Sequence, residues 1–275
     1  MAVDEQPADK THDPALGKRD YLREYLRITP VALALWRSIE AQHLATEELP
    51  NPILDLGCGF GEFAGVFFDD PLDAGIDIRL ADLVRAQGGR RYKSLIAADA
   101  RRLPFRSESF ASVISISVLE HIPRMDEAVA EAYRVLKKGG AFVFTTPTSR
   151  FSEFLFYSRF LKKVGLSQLG RLYAALLNRA LHHVSFLSEE DWIQLLERVG
   201  FRVERHGKSH SRSTVSAFDL MIPLGLHFQI SRFLQGSRGV WRPEWLLNFW
   251  QRRLARYVEA DEDEGCNLFV VARKP

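Results

Sequence analysis

The stretch that most constrains this chain is residues 53–61, ILDLGCGFG, where a short apolar run leads into three glycines, Gly57, Gly59 and Gly61. Glycine lets a backbone turn sharply and lets a ligand approach closely, because it has no Cβ. A strand, a glycine turn and a helix start form the usual cradle for a nucleotide-like ligand at the carboxyl edge of a parallel sheet. A lone Gly-x-Gly also fits an ordinary tight turn, so the rest of the chain has to decide.

Apolar runs alternate with helical patterns over residues 52–147. This alternation predicts a doubly wound α/β fold with a parallel sheet. The predicted strands are 52–57, 73–78, 94–99, 111–117 and 141–147, and the predicted helices are 61–70, 80–87 and 125–140, the last closed by Gly139 and Gly140. Further on, a helix over 187–201 is expected to start at an N-cap, Ser188, and to stop at Gly200, followed by strands at 201–206 and 267–274.

The chain divides into an N-terminal part, 1–49, and a domain over 50–275. Residues 1–17 are polar and predict a loose tail, and the helical pattern over 20–49 should be broken into two helices by Pro30, forming a helical cap. Two long stretches, at about 148–186 and 207–265, interrupt the alternation and are predicted to be helical inserts. Loops of that length are uncommon in compact domains and usually have a function.

Composition narrows the cellular setting. The two cysteines, Cys58 and Cys266, form no metal or disulfide pattern, which favours a reducing compartment. No apolar run reaches the ~18 residues that a membrane span needs, and the polar N-terminus does not resemble a signal peptide. We therefore expect a cytoplasmic protein. The net charge of +2 hides an uneven distribution, because basic residues are concentrated in the two inserts.

Acidic residues follow the predicted strands and indicate the ligand. Asp77 ends the second strand and could accept hydrogen bonds from both hydroxyls of a ribose, and Asp99 ends the third, where it could accept the amino hydrogens of an adenine. A dinucleotide fingerprint would need its third glycine at position 62, which is Glu62. Asp55 and Glu62 would repel a diphosphate but favour a cation. The site therefore suits an adenosine that carries a positively charged amino-acid tail.

Five segments in order match one known family. ILDLGCGFGEF, GIDI, AADARRLPF, FASVISISVLEHI and EAYRVLKKGGAFVFTTP resemble the successive motifs of class I S-adenosylmethionine-dependent methyltransferases, and most of all the ubiquinone and menaquinone biosynthesis (methyltransferase type 11) group. The resemblance covers about residues 50–147 and resumes at HHVSFLSEEDWIQLLERVGFRV. It departs at Ala111, where the family usually has an acid. It implies S-adenosylmethionine as the cofactor and a Rossmann-like seven-stranded sheet whose last strand, 267–274, is antiparallel.

The resemblance also implies residue roles at the methionine end of the cofactor. The loop glycines Gly57, Gly59 and Gly61 would pass close to the methionine part. Asp55 would orient the loop and the ammonium, and Ser115 and Ile116 would line the tail. No metal is predicted, because no second ligand is visible near Glu120.

At the adenosine end, the resemblance implies four further contacts. Asp77 would hold the ribose hydroxyls, and Ile78 would pack on the adenine. Asp99 and the backbone of Ala100 would read the adenine edge.

The candidates for a catalytic base are histidines. His121 lies in VLEHI after the fourth strand and is suited to accept a proton near neutral pH, although the pair Glu120–His121 could simply stabilise the loop. His182 and His183 precede SFLS, where family members often have a histidine facing the acceptor. One of this pair, with His183 as our choice, is predicted to contact the substrate; the alternative is a partly exposed helix end.

The inserts combine aromatic and basic residues. Arg238, Trp241, Trp245, Arg252 and Arg253 belong to the second insert. A helix is expected from Pro243, with one apolar face formed by Leu246, Trp250, Leu254 and Tyr257. This composition is typical of an interfacial membrane helix, but it also fits a lid over the acceptor whose arginines face water or the acidic run 259–264. Nucleic acid is not the expected partner, because the sequence contains no recognisable RNA-binding module.

Together these observations predict a methyltransferase that acts on a hydrophobic or amphipathic small molecule. Oxygen is the first choice for the accepting atom, and carbon of a quinone or other secondary metabolite is the alternative. A non-catalytic protein that binds the cofactor or a lipid is the remaining alternative, which the intact cofactor motifs oppose. The sequence predicts no oligomeric state.

Overall fold

The structure is a computed structural model that describes residues 19–235, 242–258 and 264–275. The predicted tail over 1–17, Arg238, Trp241 and most of the acidic run 259–264 lie outside the described residues.

A seven-stranded sheet forms the centre of the domain. Its strands are β1 (Ile53–Leu56), β2 (Leu72–Asp77), β3 (Tyr92–Ala97), β4 (Phe110–Ile116), β5 (Leu136–Pro147), β6 (Arg202–Ser209) and β7 (Asn267–Arg273). Their order is β3-β2-β1-β4-β5-β7-β6. The first five strands pair in parallel, whereas β7 is antiparallel to both β5 and β6. The predicted Rossmann-like fold with an antiparallel last strand is confirmed.

Helices cover both faces of this sheet. In the first half of the domain they are α3 (Glu62–Phe67), α4 (Leu80–Gln87) and α5 (Met125–Val135), and α9 (Glu189–Val199) follows later. Helix α9 begins with the predicted capping box between Ser188 and Asp191 and ends at Gly200, whose φ is 112°. Two apolar cores result, one on each side of the sheet.

The helix predicted over 125–140 is too long. Helix α5 ends at Val135, and Leu136 already has extended backbone angles. Gly139 and Gly140 lie inside β5 instead of capping a helix. A Cβ at Gly140 would lie 2.8 Å from the carbonyl oxygen of Lys137 and 2.9 Å from that of Ala111, so close backbone approach explains this glycine.

The N-terminal cap consists of α1 (Tyr21–Ile28) and α2 (Val31–Leu44), separated at Pro30 as predicted. The Asp20 side chain caps α1 by accepting a hydrogen bond from the amide of Arg23. Both helices bury most of their apolar residues in the core that lies on the side of α3. The cap is therefore packed into the domain.

The two inserts are helical, as predicted. The first contains α6 (Phe151–Phe154), α7 (Phe156–Lys163) and α8 (Ser167–Ala180), and the second contains α10 (Arg212–Gln235) and α11 (Glu244–Val258). Because β6 extends to Ser209, the second insert begins three residues later than predicted. In α11, Leu254 is buried, and Trp250 and Tyr257 pack partly buried against the core.

Candidate active site

A cavity of about 490 Å³ opens at the carboxyl ends of β1, β2 and β4. Eight of the ten residues predicted to bind cofactor line it: Asp55, Gly57, Gly59, Asp77, Ile78, Asp99, Ala100 and Ile116. His121 also lines it, with His182. The strand ends therefore bring together the acids, the glycine loop and one candidate base.

The glycine loop requires glycine at more than one position. Gly57, Gly59 and Gly61 all have positive φ, at 83°, 52° and 76°. A Cβ at Gly57 would lie 2.3 Å from Cγ1 of Val118. A Cβ at Gly59 would have no described heavy atom within 4 Å, so it would project into open space beside the cavity. Side chains would thus be strained at all three positions.

Gly61 is the one loop glycine outside the cavity lining. It is the N-cap of α3, and a Cβ there would lie 3.1 Å from Cε2 of Tyr92. Close packing against Tyr92 and the left-handed turn into α3 explain why this residue is a glycine.

Asp77 connects the second strand to the glycine loop. Its Oδ2 accepts a hydrogen bond from the amide of Gly59 at 2.9 Å, and its Oδ1 accepts one from the amide of Arg79 at 2.8 Å. Each carboxylate oxygen has further lone pairs, so ribose hydroxyls can still donate to it. Ile78 is 70% exposed beside it and offers an apolar surface on which an adenine could pack.

Asp99 is already engaged by its own neighbour. Its two carboxylate oxygens accept hydrogen bonds from Nε and Nη2 of Arg101 at 2.6–3.1 Å. The hydrogen bonds of Arg101 hold the pKa of Asp99 below its usual value. The sequence motif did not reveal this ion pair, which leaves Asp99 less free to read an adenine edge than its position at the strand end implies.

Asp55 is buried at the end of β1 and accepts a hydrogen bond from the Tyr92 hydroxyl at 2.7 Å. Burial raises the pKa of Asp55 to about 6, against the lowering effects of Tyr92 and Arg37. A cation in the cavity would stabilise the ionised form.

Ser115 lies outside the lining, although Ile116 and Ser117 belong to it. Ser115 and Ile116 are successive residues of β4 and point to opposite faces, whereas Ser117 follows the end of the strand and has a positive φ. Ser115 is fully buried, and its Oγ has no hydrogen-bond partner among the described residues. Ser117 instead donates a hydrogen bond to Glu40.

The sequence motifs missed the contribution of the N-terminal cap. Leu33 and Arg37 of α2 line the cavity. Arg37 donates to Oε2 of Glu40 at 2.8 Å and to the carbonyl oxygen of Ile116 at 3.2 Å, so α2 is tied to the end of β4. The helical periodicity of α2 predicts a buried face, but it does not indicate which strand end that face meets.

The other end of the cavity contains histidines from two distant segments. The amide of Val184 donates to the carbonyl oxygen of Glu120 at 2.8 Å, and Nδ1 of His121 lies 3.0 Å from the carbonyl oxygen of His182. The rings of His121 and His183 stack with centroids 5.4 Å apart. The two predicted catalytic histidines, His121 and His183, therefore lie side by side. Of the neighbours His182 and His183, however, it is His182 that lines the cavity.

Burial controls the ionisation of this group. It lowers the pKa of His121, and it lowers the pKa of His183 to about 4, with a further effect from His121. Burial raises the pKa of Glu120 to about 8. Both histidines are therefore neutral at pH 7, which is the state that can accept a proton.

The expectation that Glu120 has no second ligand nearby is wrong. One potential ligand atom from each of Glu120, His121 and His183 lies within 4.8 Å of the others. His183 is distant in sequence, so only the folded chain shows this cluster.

Comparison with known proteins identifies the family. A family profile described as a methyltransferase domain matches residues 25–206. The chain belongs to this methyltransferase family. The identification as a class I S-adenosylmethionine-dependent methyltransferase, made from the motifs, is confirmed.

Individual relatives of this methyltransferase differ in what their names say they methylate. A malonyl-[acyl-carrier protein] O-methyltransferase from Legionella pneumophila is 33% identical over 103 residues, which are 35% of this chain and 36% of the relative. A sterol 4-C-methyltransferase from Caenorhabditis elegans is 32% identical over 101 residues, which are 33% and 29% of the two chains. The methyltransferase thus spans about a third of the length of these curated relatives.

The fold is shared more widely than the sequence. The crystal structure of a possible histamine N-methyltransferase from Thermotoga maritima superimposes with a TM-score of 0.56 at 18% identity, covering 93% of this chain and 95% of that one. This likeness supports the fold.

The residues in the cavity fit S-adenosylmethionine, the cofactor of this class of methyltransferases. Buried Asp55 with its raised pKa would be stabilised by the ammonium, Asp77 offers acceptors for the ribose, and Gly59 leaves open space where a side chain would stand. When bound, the cofactor supplies an activated methyl group on its sulfonium. The chain's own contribution is to hold it, to orient an acceptor and to exclude water.

Proposed function

We propose that the protein transfers a methyl group from S-adenosylmethionine to a hydroxyl oxygen of an amphipathic small molecule. The observation that carries this proposal is the single cavity lined by the cofactor residues Asp77 and Gly59 and also by His121. An acceptor placed between them would lie in line with the methyl group, and His121 would be in reach of its hydroxyl proton.

Oxygen is favoured because a hydroxyl acceptor must lose its proton. Nδ1 of His121 faces the carbonyl oxygen of His182 and so carries the ring proton, which leaves Nε2 free to accept another. In such a transfer the bond from sulfur to methyl would break, the bond from oxygen to methyl would form, and the hydroxyl proton would pass to Nε2 of His121. The relatives include O-, C- and N-methyltransferases by name, so their similarity does not choose the atom.

Carbon is the second candidate acceptor. An activated ring carbon, as in a quinone precursor, also releases a proton after methyl transfer, and the same Nε2 of His121 could take it. The third alternative, a non-catalytic binding protein, would retain Asp77 and the glycines but would gain nothing from a neutral histidine at the far end of the cavity.

The amphipathic nature of the acceptor is supported by the first insert. Its α7 and α8 present an apolar surface to solvent, which we call the α7–α8 face and which consists of Phe160, Val164, Leu166, Leu169, Leu172 and Leu176. Each of these six side chains is about half exposed. Contiguous exposed apolar surfaces of this kind mark interaction sites.

Polar contacts anchor these helices and leave their apolar side chains outside. Asp219 of α10 accepts hydrogen bonds from the amide of Tyr157 at 3.0 Å and from the hydroxyl of Tyr173. Within α8 the buried residues are Gly170 and Ala174, and every side chain of α7 keeps some exposure. The surface is therefore unburied although the helices are held firmly on the domain.

We propose that the α7–α8 face contacts an anionic membrane surface. The two helices contain no acidic residue, and their basic residues are Arg159, Lys162, Lys163, Arg171 and Arg179. Apolar residues together with such basic residues suit an interface that contains anionic lipid. Leu181, just after α8, lines the cavity, so an acceptor held at the membrane would have a short path to it.

This assignment moves the membrane contact away from the second insert. In α11, Trp250 packs partly buried against the core. Trp245 and Phe249 of α11 are exposed, so this helix provides a control surface. None of the described helices is long and apolar enough to cross a membrane.

The function is tested by labelling. The purified protein is incubated with S-adenosylmethionine carrying a deuterated methyl group and with lipid and metabolite extracts, and products are identified by mass spectrometry. We expect one labelled product that fragments as a methyl ether and that disappears with His121→Ala. A label attached to carbon would select the second candidate, and the absence of any labelled product despite cofactor binding would select the non-catalytic one.

The membrane contact is tested by co-sedimentation with phosphatidylcholine vesicles that contain or lack phosphatidylglycerol. We expect binding that rises with the anionic lipid and falls with salt, and that is lost when Leu169, Leu172 and Leu176 are replaced by serine. The matched control replaces Trp245 and Phe249 by serine and should still bind. Wild-type protein that stays in the supernatant at low salt would contradict the membrane contact. The first insert would then be interpreted as a lid over the acceptor.

A further inference from the structure

The cluster of Glu120, His121 and His183 has the residue types and spacing of a metal centre. One potential ligand atom from each residue lies within 4.8 Å of the others, and Oε1 of Glu120 is 3.8 Å from Nε2 of His121. Ligands bonded to one zinc ion at 2.0–2.2 Å stand roughly 3.4 Å apart in a tetrahedral site. A small inward movement of the two partly exposed histidine side chains would close this difference.

The hydrogen bonds of the two histidines prepare one nitrogen of each ring for a metal. Nδ1 of His121 is 3.0 Å from the carbonyl oxygen of His182, and a carbonyl can only accept, so this nitrogen carries the proton. Nδ1 of His183 is 3.0 Å from Oδ1 of Asn178. The Asn178 amide nitrogen donates to Oγ of Ser152 at 2.8 Å, and in this orientation of the amide Oδ1 accepts a hydrogen bond from Nδ1 of His183.

Both rings therefore present Nε2 as an unprotonated nitrogen. A histidine that binds a metal almost always donates its other ring N–H to a carbonyl or carboxylate oxygen, and this partner sets the tautomer and the ring orientation. His121 and His183 already make such contacts through Nδ1, to the carbonyl oxygen of His182 and to Oδ1 of Asn178.

Glu120 completes the cluster with a buried carboxyl. Its Oε2 accepts a hydrogen bond from Oγ1 of Thr146 at 3.3 Å, which leaves Oε1 directed at the histidines. Arg37 is the cation that acts on both Glu120 and His121, and it is paired with Glu40 at 2.8 Å, so its charge is partly compensated.

We propose that Glu120, His121 and His183 bind one divalent transition-metal ion of the zinc class. Two imidazoles and one carboxylate are a catalytic zinc set, and the same set suits cobalt and ferrous iron, whereas magnesium and calcium prefer oxygen ligands throughout. Three protein ligands leave at least one position open. Since His121 lines the cavity, the open position is expected to face the acceptor.

This inference rests on the proposed methyl transfer to oxygen and replaces the base role of His121 in it. An acceptor hydroxyl bound to the metal would lose its proton to solvent more readily, because the ion stabilises the alkoxide or phenolate. The oxygen would then attack the methyl group while remaining bound, and His121 would act as a ligand instead of a base.

The test measures metal binding directly. Untagged full-length protein is treated with a chelator, dialysed, and titrated with Zn²⁺ by calorimetry, with the bound metal counted by mass spectrometry. Co²⁺ is titrated in parallel, because its visible absorption reports the coordination geometry. We expect one equivalent of Zn²⁺ and a Co²⁺ spectrum of a four- or five-coordinate site.

Variants assign the site. His121→Ala, His183→Ala and Glu120→Gln should each weaken Zn²⁺ binding by at least tenfold and alter the Co²⁺ spectrum. Asn178→Ala should weaken it by a smaller factor, since Asn178 acts only through His183. The matched control is His206→Ala, because His206 also lies beside a carboxylate, at 2.8 Å from Glu189, but does not line the cavity. It should bind Zn²⁺ as the wild type does.

Two controls separate this inference from the proposed function. Circular dichroism and the affinity for S-adenosylmethionine show that each variant is folded with its cofactor site intact. Wild-type protein that binds S-adenosylmethionine but less than a tenth of an equivalent of Zn²⁺ would overturn the metal site while leaving methyl transfer standing. Equal Zn²⁺ affinity in the wild type and the three ligand variants would overturn it as well.

Discussion

The two ends of the cavity are built in different ways. At the cofactor end, the main polar residues lie between Asp55 and Arg101, at the ends of consecutive parallel strands. Their contacts join neighbouring strands, as when the amide of Gly59 donates to Asp77. At the acceptor end, Glu120 and His183 come from segments separated by α5, β5 and the helices of the first insert, and the hydrogen bond between Val184 and Glu120 joins them.

The two ends depend on different parts of the chain. The cofactor end depends on strand ends that the sheet itself places side by side, so it is stable against changes in the inserts. The acceptor end depends on how a helical insert returns to the sheet. If the two ends are independent, substitutions at one should leave the function of the other unchanged.

The largest effect is expected from His121→Ala at the acceptor end. Turnover of the acceptor identified by labelling should fall by about 10²–10⁴-fold, because either the proton acceptor or a metal ligand is lost. The dissociation constant for S-adenosylmethionine, measured by calorimetry, should stay within about twofold. His206→Ala serves as the control, and a parallel loss of cofactor affinity in His121→Ala would show that the ends are coupled.

At the cofactor end, Asp77→Ala should raise the dissociation constant for S-adenosylmethionine by about 100-fold or more. Two charge-assisted hydrogen bonds to the ribose, each on the order of 1.5–3 kcal/mol, would be lost. Asp70→Ala, at an exposed aspartate outside the cavity, is the control for calorimetry. Unchanged affinity in Asp77→Ala would argue against the placement of the ribose.

Gly59→Val should weaken cofactor binding by roughly tenfold or more while the fold survives. Valine disfavours the φ of 52°, and its side chain would occupy space beside the cavity. Gly207→Val is the matched control, because a Cβ at Gly207 also has no described atom within 4 Å but the backbone there is part of β6. Circular dichroism combined with a binding titration separates folding from affinity, and retained binding would contradict close approach of the ligand.

The smallest effect is expected from pH at Asp55. Burial raises the pKa of this carboxyl to about 6, so it is ionised above that pH and becomes neutral as the pH falls through it. The ammonium of the cofactor favours the ionised form, so affinity should be full above about pH 6. Below it, affinity should decrease by up to about tenfold per pH unit. The Asp55→Asn variant should bind the cofactor more weakly at neutral pH, and its affinity should not decrease in this way as the pH falls. An equal pH response of the affinity in both proteins would assign the effect to another group.

Much of the cofactor end could be read from the linear chain. Glycines, acids and strand patterns lie close together in sequence, and parallel strands place their carboxyl ends at one edge, so Asp55, Gly57 and Asp77 could be assigned to one site. The capping signal at Ser188 and the breaker at Pro30 were equally local. Such features depend on backbone geometry over a few residues, which a sequence pattern expresses directly.

Other features depended on contacts in the folded chain, some between neighbouring residues and others between distant segments. The ion pair of Asp99 with Arg101, the glycines inside β5, and Arg37 of α2 at the end of β4 are set by what each residue meets in the folded chain. The grouping of Glu120 and His121 with His183 required the return of the first insert, and the exposure of the α7–α8 face required its docking on α10. A periodic pattern shows that a helix has an apolar side, whereas only its packing partners decide whether that side is buried or left exposed.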